Sequence, residues 1–292
     1  MQAVVFFWFN KENNQVTVID CSCYLTITCD FKRIPYFCSM KILLTSILLL
    51  IVTTCFSQDP PEKYQKIWQD INEGDGTYAN KELDKIIRTK PKDPWPYWLK
   101  GISMHSLESE AEQCRYFELA ITADSTFAPA YYNLASKLSS DSSTYSRAEK
   151  LYTKAIELAS DEFYYIGRGE LYFRQKRYDE AIKDAKMSKL IDAANCYFAN
   201  KLIIQSLYQQ GKTADLKLFL KLNNPNNGGG PPDEEYQYFL GELYESWGEP
   251  AKACPYFRQA VEDAEFMAEM ADPGAMDQKL EQYRTKAKAI CK

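Results

Sequence analysis

Residues 164–193, YYIGRGELYFRQKRYDEAIKDAKMSKLIDA, decide how the rest of the chain is read. They divide into two helical runs, the first ending near Gln175 and the second announced by Tyr178-Asp179-Glu180-Ala181. Tyr165 and Tyr172 are the bulky residues of the first run, with Gly169 small between them. Ala181 is small on the second run, where the helix axes should approach most closely. Small against large at a crossing lets two helices pack at roughly 8–10 Å. One such hairpin cannot bury its own apolar face, so the unit should recur.

It recurs with a steady period. The small residue of the first run returns at Gly101, Ala135 and Gly169, spaced 34 and 34 residues apart, and again at Gly241, 72 residues later. The matching position of the second run is Ala79, Gln113, Ala148, Ala181, Leu216 and Ala253, with gaps of 34, 35, 33, 35 and 37. Four residues on stand Leu83, Phe117, Tyr152, Leu220 and Phe257, and only Ala185 departs from this large apolar type.

A period near 34 with this content resembles the tetratricopeptide repeat. Tyr131-Tyr132-Asn133-Leu134-Ala135 and Phe239-Leu240-Gly241-Glu242-Leu243-Tyr244 carry the likeness best. The resemblance implies an all-α fold, a right-handed superhelix of antiparallel helix pairs. About six repeats are expected, at 62–93, 94–127, 128–161, 162–195, 196–222 and 233–268, with a linker at 223–232 and a capping helix at 275–291. The fifth repeat carries Ile204 and Leu216 where small residues belong, which predicts a looser helix approach. The linker is rich in Asn, Gly and Pro, but no Gly-Lys-Ser/Thr follows it and no strand precedes it, so it does not read as a phosphate loop.

Residues 40–57, MKILLTSILLLIVTTCFS, have the layout of a secretory signal: a basic start, an apolar run and small residues before a cleavage point near Ser57. The run is shorter than the ~20 apolar residues of a membrane-spanning helix. Because 39 residues precede Met40, translation is expected to begin there, with residues 1–39 a spurious extension, disordered or irregular. Cys55, at the end of the apolar run, is the candidate for lipid attachment, although Val52-Thr53-Thr54 suits that poorly. The chain lacks an Asn-x-Ser/Thr acceptor. The expected location is therefore a bacterial periplasm or outer membrane.

The 292-residue chain has a net charge of −5, with no basic cluster of the kind nucleic-acid binding requires. Residues 58–292 carry −6, since the first 57 residues hold four basic and three acidic side chains. No zincin, Walker or Gly-x-Ser-x-Gly pattern appears, and His105 is the only histidine. No cofactor or metal is expected, and an enzyme with a site around His105 and Glu170 is the weaker alternative. Cys254 and Cys291 lie 19 and 18 residues from Pro273, where two antiparallel helices would turn, and this levels them for a disulfide. The alternative is two buried thiols. Cys114 and Cys196 read as core residues.

In this family the first helices of successive repeats line a concave groove that receives protein or peptide ligands. Carried over, that gives Trp95, Trp98, Ile102 and His105 from the second repeat, and Tyr132 and Ser136 from the third. The fourth adds Phe163, Ile166, Glu170, Phe173 and Arg174, and the fifth Phe198, Lys201, Gln205 and Tyr208. Tyr238, Glu242 and Glu245 come from the sixth. Large rigid aromatics are typical binding anchors. Inter-helix packing is the other use such residues have. The function expected is a non-catalytic protein- or peptide-binding scaffold acting outside the cytoplasm, or alternatively a lipid-anchored envelope assembly factor.

Overall fold

A computed structural model describes residues 5–10, 15–20, 25–30, 60–73, 76–103, 110–194, 196–226, 230–270 and 277–291. The signal-like segment 40–57 and His105 lie outside the described residues. The chain divides into two compact units, Met1–Lys217 and Leu218–Lys292.

The first unit starts with three strands, β1 (Val5–Asn10), β2 (Gln15–Asp20) and β3 (Leu25–Asp30). They form an antiparallel meander in the order β1-β2-β3, with Val5 opposite Asp20 and Gln15 opposite Asp30. For these eighteen described residues the expectation of a disordered or irregular segment is corrected. VFFWFN, QVTVID and LTITCD are rich in β-branched and aromatic residues, and each four-residue gap between them is short enough for a hairpin.

From residue 60 onward every described regular element is helical. The first unit continues with α1 (Glu62–Asn72), α2 (Gly76–Thr89), α3 (Pro94–Ser103), α4 (Glu110–Ala123), α5 (Ala128–Leu138), α6 (Tyr145–Leu158), α7 (Glu162–Arg174), α8 (Tyr178–Ile191) and α9 (Tyr197–Gln209). Each of these helices packs on the next, and first helices also touch first helices, α1 with α3, α5 with α7 and α7 with α9. That is the contact pattern of stacked hairpins. α10 (Thr213–Leu222) straddles the division, and the second unit holds α11 (Glu234–Ser246), α12 (Pro250–Met270) and α13 (Asp277–Ile290).

The small positions do the packing that their spacing implies. A Cβ on Gly101 would stand 2.6 Å from the Phe117 ring, and one on Gly241 2.7 Å from Phe257. Ala79, Ala148, Ala181 and Ala253 are fully buried. Gly169 differs, because Ala185 leaves room that other repeats fill with a large side chain. Leu202 of α9 takes that room, 2.7 Å from where the Gly169 Cβ would be. In the fifth repeat Ile204 and Leu216 are both buried. Both positions carry bulky side chains where most other repeats carry small ones. The division between units falls in α10.

Three turns share one backbone geometry. Lys176, Gly211 and Gly248 follow α7, α9 and α11 with φ of 61°, 66° and 73°. Each turn is closed by the same two bonds. Lys176 N donates to Phe173 O and Arg177 N to Tyr172 O, and the residues after α9 and α11 repeat this from Tyr208 and Leu207, and from Glu245 and Tyr244. The left-handed position favours glycine.

In the second unit α13 packs on α12. Cys254 and Cys291 form a disulfide with Cα atoms 5.1 Å apart. Tyr283 stacks on Tyr238 at 4.6 Å, and Lys279 pairs with Glu234 and Glu235.

Candidate functional site

The helical repeat of α7 sets out Phe163, Ile166, Gly167, Glu170 and Arg174 along one stripe, since positions three or four apart share a face. The neighbouring first helices add Tyr132 and Ser136 from α5 and Phe198 from α9. Together they line a cleft of about 340 Å³ in the first unit, with Glu110, Lys137, Ser139, Ser140 and Tyr152. Seven of the residues expected on the ligand face therefore come together: Tyr132, Ser136, Phe163, Ile166, Glu170, Arg174 and Phe198.

The cleft has two chemically different ends. Phe163 and Phe198 are large apolar side chains left 41% and 38% exposed, near the starts of α7 and α9. At the other end Lys137, Ser139 and Ser140 close α5, and Arg174 Nη1 donates to the Ser139 carbonyl at 2.7 Å. Tyr132 forms the wall between them, its ring 5.1 Å from that of Tyr164 and 5.9 Å from that of Tyr152. Burial lifts the Tyr132 hydroxyl well above the ordinary tyrosine range, with Tyr152, Glu170 and Asp161 adding to the effect. Tyr132 therefore presents a neutral hydroxyl and a ring.

Glu170 sits between the two ends, one helical turn from Ile166 and one from Arg174. Its surface is open to solvent, but the protein atoms crowded round it raise its carboxyl above the usual glutamate value. Arg174 and Lys201 pull the other way without overcoming that.

Other residues expected on the ligand face belong elsewhere. Trp98 is 3% exposed and stacks on Trp68 of α1 at 5.6 Å, with Trp95 edge-on at 5.5 Å. Trp95 in turn meets Phe127 at 4.9 Å, and Ile102 packs on the same cluster. The second repeat's face is thus core, because α1 supplies a tryptophan to cover it. Phe173 meets Tyr178 edge-on at 5.5 Å, so it closes its own hairpin. Tyr238 lies under Tyr283 and against Phe257, where α13 covers it. Lys201 and Gln205 are half-buried on α9, Tyr208 is exposed there, and none of them lines the cleft. Glu242 is exposed in the second unit, where Glu245 pairs with Lys286.

Sequence reasoning missed Tyr152, which it took as a knob between helices. Gly167 was the available signal. A Cβ there would stand 2.6 Å from the Tyr152 ring, so the glycine is what lets a second-helix tyrosine reach the cleft floor. Among the described residues no group of three His, Cys, Asp or Glu side chains could hold a metal ion. No described helix is long and apolar enough to cross a membrane. What the arrangement offers is a recess with aromatic anchors and a polar rim, which is binding chemistry.

Residues 234–262 match the family model for the tetratricopeptide repeat. Among solved structures, PilW, described as a widely conserved type IV pilus biogenesis factor, superimposes with a TM-score of 0.59 at 13% identity, covering 75% of this chain and 96% of PilW. The pilF protein of Pseudomonas aeruginosa gives 0.58 at 14% identity, with 76% and 95% covered. At these identities the likeness concerns the fold. No curated relative matches the chain.

Proposed function

We propose that this tetratricopeptide-repeat protein is a non-catalytic scaffold that binds a protein or peptide ligand in the first unit's cleft and works outside the cytoplasm. The observation that carries the binding reading is the pairing of Phe163 and Phe198. Two phenyl rings from different repeats stand open to solvent at one end of a polar-rimmed recess. Leaving such apolar surface exposed forgoes about 25 cal/mol per Å² that burial would contribute, and a partner recovers it.

Export is supported by the signal-like Met40–Ser57 layout, and the Cys254–Cys291 disulfide suits an oxidising compartment. In bacteria that is the periplasm or the outer-membrane surface. The mature N-terminus, read by mass spectrometry of protein purified from its native cells, tests this. A chain starting at Gln58 agrees with export, and one that retains Met40–Ser57 contradicts it.

Binding is tested by isothermal titration with peptides selected against the full chain from a random display library. Phe198→Ala and Tyr132→Ala should weaken the selected peptides at least about ten-fold. Equal affinity for both variants would remove the cleft from the account.

A further inference from the structure

The outward side of α10 departs from the other second helices. Leu216 and Leu220 are the residues α10 buries. At about 3.6 residues per turn, Leu218 falls on the opposite side of the helix, and Leu222 lies one turn further along the same stripe. Two residues after the small position the other hairpins carry Lys81, Arg115, Lys150, Lys183 and Pro255, all exposed. The fifth carries Leu218, which is 56% exposed, and Leu222 follows at 72%. Ala214 extends the stripe toward the start of the helix. Lys217 and Lys221 run along one flank and Asp215 stands on the other, all of them exposed.

The chemistry of this face narrows what covers it. A stable protein interface buries about 800 Å² on each partner, and two leucines fall well short of that. Protein hot spots favour Trp, Tyr and Arg, whereas leucine and lysine are under-represented in them. Leucines flanked by lysines are instead the composition of helices that lie in a bilayer interface. There the leucines enter the acyl boundary, and the lysine stems carry their ammonium groups up to the phosphates. We infer that α10 docks the protein on an anionic phospholipid bilayer, with Leu218 and Leu222 entering it and Lys217 and Lys221 meeting lipid phosphates. No residue of α10 lines the peptide cleft, so this is a second surface.

The test uses the full chain and vesicles of phosphatidylcholine, alone or mixed with phosphatidylglycerol. An environment-sensitive fluorescent residue replaces Leu222 or, as a control, the exposed Lys150. Its emission reports contact at that position independently of the apolar segment 40–57. The probe at 222 should shift to the blue on the mixed vesicles, and the probe at 150 should not. Leu218→Gln, and separately Lys217→Gln with Lys221→Gln, should each raise the lipid needed for half the shift about ten-fold. Thermal melts confirm folding, because all these positions are exposed. No shift at 222, an equal shift on both vesicles, or a shift that the substitutions leave unchanged overturns the inference. So does a shift that grows with protein concentration in the absence of lipid, which assigns the face to a second copy of the chain. Phe198→Ala should leave the shift intact, so failure here leaves the cleft's peptide binding standing.

Discussion

Arg168 on α7 holds Asp184 on α8 through two parallel bonds, Nε to Oδ2 at 2.7 Å and Nη2 to Oδ1 at 2.9 Å. A third bond ties Arg168 Nη1 to Thr153 Oγ1 on α6 at 3.0 Å. The pair is largely shielded, with side-chain exposures of 16% and 4%. It stands beside Ala185, in the one repeat that lacks a large apolar residue at that position. Removing one partner leaves the other charge buried and unpaired. Asp184→Ala should therefore cost about 3 kcal/mol in urea unfolding. Adding Arg168→Met to Asp184→Ala should recover part of that loss. A single variant as stable as the wild type would mean that the pair contributes nothing.

Lys176 occupies a left-handed turn position where the equivalent residues are Gly211 and Gly248. A side chain there costs roughly 1 kcal/mol relative to glycine. Lys176→Gly should raise the stability of the first unit by about 0.5–1 kcal/mol, measured by chemical denaturation. Gly248→Ala should lower that of the second by a similar amount.

The Cys254–Cys291 disulfide closes 37 residues of separation between α12 and the end of α13. Cross-linking a loop of that size stabilises by about 2–4 kcal/mol. Cys291→Ser should lower the unfolding free energy of the second unit by that amount. Alkylation of the unreduced protein should leave Cys254 and Cys291 unlabelled. Intact-mass spectrometry showing labelled Cys254 would contradict the bond.

Glu170 gives a signed pH dependence. Its folded-state value is raised by the protein atoms that crowd round the carboxyl on the cleft side, so the native chain binds more protons than the unfolded chain between the two values. Stability from this group is present below the unfolded glutamate value and is lost as pH rises through the folded one. Glu170→Gln removes the ionisable group, so it should raise the melting temperature at neutral pH and lose that advantage in acid. A variant that is less stable at neutral pH would reverse the sign.

The period near 34 made the hairpin fold legible, and Gly101 facing Phe117 and Gly241 facing Phe257 show why. Each small residue is the footprint of a ring on the partner helix, so the packing rule is written as a spacing. The ligand face was legible only in the middle of the first unit. Its register rule assumes that first helices present an open face, which holds for α5, α7 and α9. At α3 the face is closed by Trp68, and at α11 by Tyr283 of the cap helix. Both closures depend on which element lies at an end of the stack, and residue spacing within a repeat carries no record of that. The break between units was not legible: the Asn- and Gly-rich linker marks a boundary at 223–232, whereas the division falls in α10, ahead of it.

Trp98→Ala is a poor probe of the binding surface, because a buried tryptophan removed from the core destabilises the fold by about 3–5 kcal/mol. The direct measurement is site-specific photocrosslinking in the native cells. The photoreactive residue is placed at Phe163, at Phe198 and, as a control, at Leu190, which is 69% exposed and outside the cleft. The account predicts the same discrete adducts from Phe163 and Phe198, lost in a Tyr132→Ala background and absent from Leu190. Identical adducts from all three positions, or adducts indifferent to Tyr132→Ala, would contradict it.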